Sequence, residues 1–101
     1  MGKWATYQRR GGGPGAVIAL PVPVATQNGF GDLSWSVAGV VPTFAQVEVD
    51  VTLMGAWAIE NTVAWTAFPY SVENPGANYR VVGINASSVP VTQNSNVINV
   101  P

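Results

Sequence analysis

Glu48 and Asp50 are the nearest this chain of 101 residues comes to a catalytic pair. In the alternating run Phe44-Ala45-Gln46-Val47-Glu48-Val49-Asp50-Val51 they share one face of a strand. Strand geometry sets them about 7 Å apart, within the range that paired carboxylates use in glycoside hydrolysis. The competing reading is the stronger one: alternating acids are also how an exposed sheet face stays wet. The chain has no cysteine and no histidine, so disulfides, most zinc sites and most nucleophilic triads are excluded. No Asp-x-Asp-x-Asp-Gly calcium loop occurs. Gly11-Gly12-Gly13-Pro14-Gly15 matches neither the lysine-bearing nor the dinucleotide phosphate loop and follows no strand. The expectation is a protein with no catalytic residue, no metal and no cofactor, and not an enzyme.

What remains is the chemistry of binding. Met1 to Arg10 holds Trp4 and Tyr7 together with Lys3, Arg9 and Arg10, and the glycine run follows. Aromatic rings on a flexible tether are unfavourable in water and typical of interface anchors. Lys3, Trp4, Tyr7, Arg9 and Arg10 are therefore predicted to bind a partner, with residues 1–15 forming an arm and hinge ahead of a domain over 16–101. The alternative is that the arm folds back over its own domain. Ala16 to Ala25 is broken by Pro21 and Pro23 and makes a poor signal-peptide core, so the arm is expected to be retained.

The formal charge of −1 conceals an asymmetry: the arm carries three cations and no acid, and the body carries Arg80 against Asp32, Glu48, Asp50, Glu60 and Glu73, a net −4. A basic arm on an acidic body suggests that the arm touches an acidic neighbour, a copy of itself included. Three cations are too few to hold nucleic-acid backbone, and no stretch approaches the ~20 apolar residues that span a bilayer. Only 9% of residues are charged while 48% are hydrophobic, against roughly 25% charged in an ordinary soluble chain. Either some apolar surface meets another subunit, or the outer faces are built from Thr, Ser, Asn and Gln.

The positioning elements read as strands. Pro21 and Pro23 restrict the run Ala16 to Ala25 to an edge strand or a strand end. Asn28-Gly29 suits a turn with positive φ. Leu33, Trp35 and Val37 alternate with Ser34 and Ser36, and Ala45, Val47, Val49 and Val51 alternate with Gln46, Glu48 and Asp50. Phe44 falls on the polar face of that second run. Between Leu53 and Tyr70, turns at Met54-Gly55 and Asn61-Thr62 divide two short strands, one with Trp57 and Ile59, the next with Val63, Trp65 and Ala67. Trp65, Phe68 and Tyr70 crowd into six residues. A sandwich core absorbs about two such rings. With Trp57 they are candidate ligand or interface aromatics, for a protein partner or for a sugar. Tyr79 to Ile84 forms a strand, Asn85 to Asn96 a turn-rich loop, and Val97 to Val100 a closing strand.

Pro75-Gly76-Ala77-Asn78-Tyr79-Arg80-Val81, followed by Gly83-Ile84-Asn85-Ala86, a loop and a Val-rich last strand, resembles the end of a fibronectin type III domain. Leu33 to Val37 resembles that family's second strand with its core Trp, and Phe44 to Val51 sits where its third should. The resemblance covers roughly Leu20 to Pro101. It departs from the family at Tyr79, two residues closer to Asn85 than the usual corner Tyr, and at Glu73, where an apolar residue is usual. It implies an all-β, immunoglobulin-like antiparallel sandwich of about seven strands with an extended N-terminal arm. A buried corner tyrosine would keep its ring in the core and send its hydroxyl to backbone.

Such a fold implies binding or spacing, not chemistry. By analogy of fold and composition, the expectation is a non-enzymatic structural protein of a multisubunit assembly. A tailed-phage virion component suits best: head decoration or cement, neck or tail. Its partners would be a major capsid, neck or tail protein, or further copies of itself in an oligomer or lattice. The alternative is an extracellular or cell-surface adhesion or carbohydrate-binding module that uses exposed aromatics and loops.

Overall fold

Period-two alternation of apolar and polar side chains gives seven antiparallel strands in the computed structural model, which describes residues 19–101. They are β1 (Val24–Gln27), β2 (Asp32–Ser36), β3 (Phe44–Asp50), β4 (Ala58–Ala64), β5 (Tyr70–Ser71), β6 (Asn78–Ile84) and β7 (Ile98–Asn99). One sheet has the order β1-β2-β5 and the other β4-β3-β6-β7. The central strands turn one row of side chains toward the opposite sheet: Leu33 and Trp35 from β2, Ala45, Val47 and Val49 from β3, Tyr79 and Val81 from β6. The chain is an all-β sandwich.

Leu33, Ala45, Val47, Tyr79, Val81 and Val100 are completely buried. Trp35 lies at the centre, its ring 6.1 Å from Trp65, 5.7 Å from Phe68 and 6.4 Å from Tyr70. Its indole N–H donates to the Trp65 carbonyl at 2.7 Å, which satisfies the one polar atom that so large a buried ring brings with it. Tyr79, Val81 and Gly83 share the inner face, and Gly83 is there for space. A Cβ at that position would stand 2.5 Å from Pro42 Cγ and 2.9 Å from Pro42 Cβ.

Several boundaries differ from those read in the sequence. Among the described residues the first strand begins at Val24, after both prolines, because neither Pro21 nor Pro23 has a ladder donor to offer; Ala16 to Ile18 of the expected run lie outside the described residues. The stretch expected as two short strands is one strand, β4, with Asn61 and Thr62 inside it instead of in a turn. Pairing with β3 holds it together through a bulge: Val47 faces Asn61 and Glu48 faces Ile59, leaving Glu60 as the extra residue. Phe44 is half-buried.

The closing strand is only Ile98–Asn99, and part of the loop expected to face outward is instead bonded back along β6. Val91 N–H donates to Gly83 C=O at 2.9 Å and Ser95 N–H to Val81 C=O at 2.8 Å. In return Thr92 Oγ1 and Ser95 Oγ, not backbone carbonyls, accept the N–H groups of Gly83 and Val81, both at 2.8 Å. Thr92 and Ser95 are accordingly buried, while Ala86 to Pro90 and the intervening Gln93, Asn94 and Asn96 are exposed.

Two ends can be distinguished. The β1–β2 turn (28–31), the loop after β3 (51–57) and the β5–β6 connection (72–77) gather at the lower end. Val72 N–H donates to Gly31 C=O at 3.0 Å, Gly76 N–H to Val100 C=O at 2.6 Å, and Asp50 pairs with Asn78. At the upper end Thr43 N–H donates to Ile84 C=O at 2.9 Å and Trp65 N–H to Thr43 C=O at 3.2 Å. The described chain enters on this upper side, where Gln93 N–H donates to Pro21 C=O at 2.9 Å and Gln93 Nε2 to Leu20 C=O at 2.7 Å.

Candidate functional site

The lower end displays apolar side chains on a braced loop. Asp50 closes β3 and its carboxylate turns back on the residues that follow. Oδ1 accepts from Thr52 N–H at 3.0 Å, Thr52 Oγ1 at 2.5 Å and Leu53 N–H at 3.1 Å, and Oδ2 accepts from Gly55 N–H at 2.7 Å. The Thr52 hydroxyl, with these backbone donors, holds the Asp50 carboxyl below its ordinary value against the opposite pull of burial. Leu53 is held at φ 63, a left-handed conformation that costs a non-glycine residue about 1 kcal/mol. The result is that Val51, Leu53 and Met54 stand in solvent, Met54 87% exposed. On the β1–β2 turn Phe30 is 88% exposed, between Gly29 and Gly31 at φ 83 and 87.

Above this end sits a carboxylate knot that no sequence pattern marked. The bulge swings Glu60 toward β5 and β6. Its Oε2 accepts from Tyr70 OH at 2.6 Å and Glu73 N–H at 3.2 Å, and its Oε1 accepts from Tyr79 OH and from Asn74 Nδ2 at 2.9 Å. Tyr79 OH in turn accepts Asn74 N–H at 3.0 Å, which is the backbone contact expected of a corner tyrosine. Burial works to raise the Glu60 pKa, but the hydrogen bonds from Tyr70, Tyr79, Asn74 and Glu73 outweigh it, and the group lies below its ordinary value. The same burial and the Glu60 charge push Tyr79 up to about 12 and raise Tyr70 further. Every strong acceptor site is occupied from within the fold, so the knot is structural.

The alternating acids do not form the wet face expected of them. Glu48 faces Arg80 across β3 and β6 and accepts from its Nε at 2.6 Å, and Asp50 is buried in its loop. The Arg80 guanidinium lies 4.2 Å from the Trp57 ring centre. Of the aromatics singled out in the sequence, Trp65 and Tyr70 are core, Trp57 is half-buried with Arg80 over its face, and Phe68 is exposed with one side against Trp35. They do not assemble into one open platform. Lys3, Trp4, Tyr7, Arg9 and Arg10 lie outside the described residues.

Among the described residues no three His, Cys, Asp or Glu side chains converge as a metal site, and no cavity opens. Comparison of the chain with protein-family models, with curated proteins and with solved structures returned no match.

Proposed function

We propose that the chain is a fibronectin type III-like binding module that acts as a structural subunit of a repeating assembly. By fold analogy this is a tailed-phage virion component of the head surface, neck or tail, docking through Lys3, Trp4, Tyr7, Arg9 and Arg10. The family reading is supported by the strand order β1-β2-β5 against β4-β3-β6-β7, by Trp35 at the core centre and by the corner contact of Tyr79.

The observation that carries the functional reading is where the apolar excess goes. The core is complete without Phe30, Val41, Val51, Leu53 and Met54, all of which remain exposed. Single exposed apolar residues are ordinary, but three within four positions on a braced loop form a surface suited to a partner.

Deletion of residues 1–15 tests the reading. The shortened chain keeps its cooperative melt and buried-tryptophan fluorescence, and light scattering shows weaker assembly with the full chain or its partner. Loss of folding on deletion would make the arm part of the core and end the proposal.

A further inference from the structure

The described chain begins at the upper end of the sandwich, opposite the exposed apolar loops, and the arm that precedes it is complementary to those loops in composition. Leu20 and Pro21, at the start of the described residues, lie on the upper side beside Gln93. Phe30, Val51, Leu53 and Met54 stand at the lower end, to which Asp32 and Glu73 also belong; no lysine or arginine lies on the 28–31, 51–57 or 72–77 segments, although Arg80 stacks on Trp57. The described body holds Arg80 against five acids, and Arg80 is already paired with Glu48. The cations that could answer Asp32 and Glu73 are Lys3, Arg9 and Arg10, and the rings that could cover the apolar loop are Trp4 and Tyr7. In both charge and hydrophobicity the arm therefore complements the lower end.

From this we infer that residues 1–15 of one copy dock on the lower end of the next, so that copies add head to tail. The inference rests on the arm being a docking element and adds what it docks on. The surface on each copy differs from the one it meets, so the contact is heterologous and generates a ring or an open stack. The strain at Leu53 and the Asp50 brace serve this contact: a loop fixed before binding loses little conformational freedom when it is covered.

The 18 residues ahead of the described chain span up to about 60 Å if extended, whereas a seven-residue strand spans about 23 Å. Docking on its own lower end is thus within reach and must be separated from docking on a neighbour. Sedimentation equilibrium on two full-length variants does this. The arm variant carries Arg9→Glu and Arg10→Glu; the body variant carries Phe30→Ser and Met54→Ser, both at exposed positions. The unaltered chain is expected to associate progressively with concentration. Each variant alone is expected to weaken association at least about tenfold, and their 1:1 mixture to recover a dimer that grows no further, because one good arm meets one good lower end. If the body variant associates like the unaltered chain while the arm variant does not, the arm docks elsewhere; this inference falls and the docking function stands. If both variants associate normally, both readings fall. A chain that stays monomeric throughout overturns docking between copies, and leaves the arm on the lower end of its own copy or on a different protein.

Discussion

The hydroxyl of Tyr79 donates to Oε1 of Glu60, nineteen residues away on the edge strand of the same sheet. The contact exists because Glu60 is the bulged residue of β4; in an unbroken ladder its side chain would follow the regular alternation. Tyr70 from the opposite sheet takes the other oxygen. One carboxylate thus ties the edge of one sheet to β5 of the other.

Removing either phenol hydroxyl therefore weakens the sandwich. Tyr79→Phe loses both a donor to Glu60 and an acceptor for Asn74 N–H and is expected to cost about 1–3 kcal/mol. Tyr70→Phe loses one bond and costs less. Glu60→Ala strands both phenols and costs at least as much as Tyr79→Phe, with Glu60→Gln in between. Urea unfolding followed by tryptophan fluorescence checks the order. Equal stability of Tyr79→Phe and the unaltered chain would remove the knot from the fold's energetics.

Stability falls at both pH extremes, for different groups. The Glu60 pKa in the fold is below the ordinary 4.5, so its stabilisation is present above that value and lost as pH falls below it. Asp50, lowered from 3.8, acts in the same direction. Tyr79 is raised from 10.0 to about 12, so its contribution is full below pH 10.0 and lost as pH rises toward about 12. Glu60→Gln is expected to flatten the acid limb, and Tyr79→Phe with Tyr70→Phe the alkaline limb, in melts taken across pH.

Gly83→Ala is expected to destabilise by about 1–3 kcal/mol through overpacking. The added Cβ meets the Pro42 ring and, at 3.0 Å, Thr92 Cγ2, on the two segments that β6 joins. Pro42→Gly removes both ring atoms that the added Cβ meets, so the double variant should be more stable than the sum of the single changes predicts. Simple additivity would show that the close approach is not where the cost arises.

Asn96 behaves as a backbone unit. Its Oδ1 accepts from Ala25 N–H at 2.8 Å and its Nδ2 donates to Ala25 C=O at 3.0 Å, joining the last segment to the first strand. Asn96→Ala is expected to cost about 1–2 kcal/mol and to speed hydrogen exchange at the Ala25 amide. Asn96→Asp keeps the acceptor but sets a carboxylate against the Ala25 carbonyl, and is expected to be no better. Unchanged exchange at Ala25 in both variants would dissolve the link.

The sequence by itself determined the sandwich. Period-two alternation places Leu33 and Trp35, then Ala45, Val47 and Val49, then Tyr79 and Val81, on inner faces, because adjacent strand side chains must point oppositely and the apolar set is buried in only one register. Asn28-Gly29 announces its turn because glycine adopts positive φ freely, and Gly29 has φ 83. The prolines mark where no central strand runs. Only the tertiary structure decided the rest, since those features depend on partners distant in the chain. The bulge at Glu60 comes from matching β4 to β3. The burial of Thr92 and Ser95 comes from hydroxyls that substitute for carbonyls beside β6. The fate of each aromatic depends on which side of Trp35 the chain returns to. A polar residue in a turn-rich stretch looks solvated until a backbone donor elsewhere needs it.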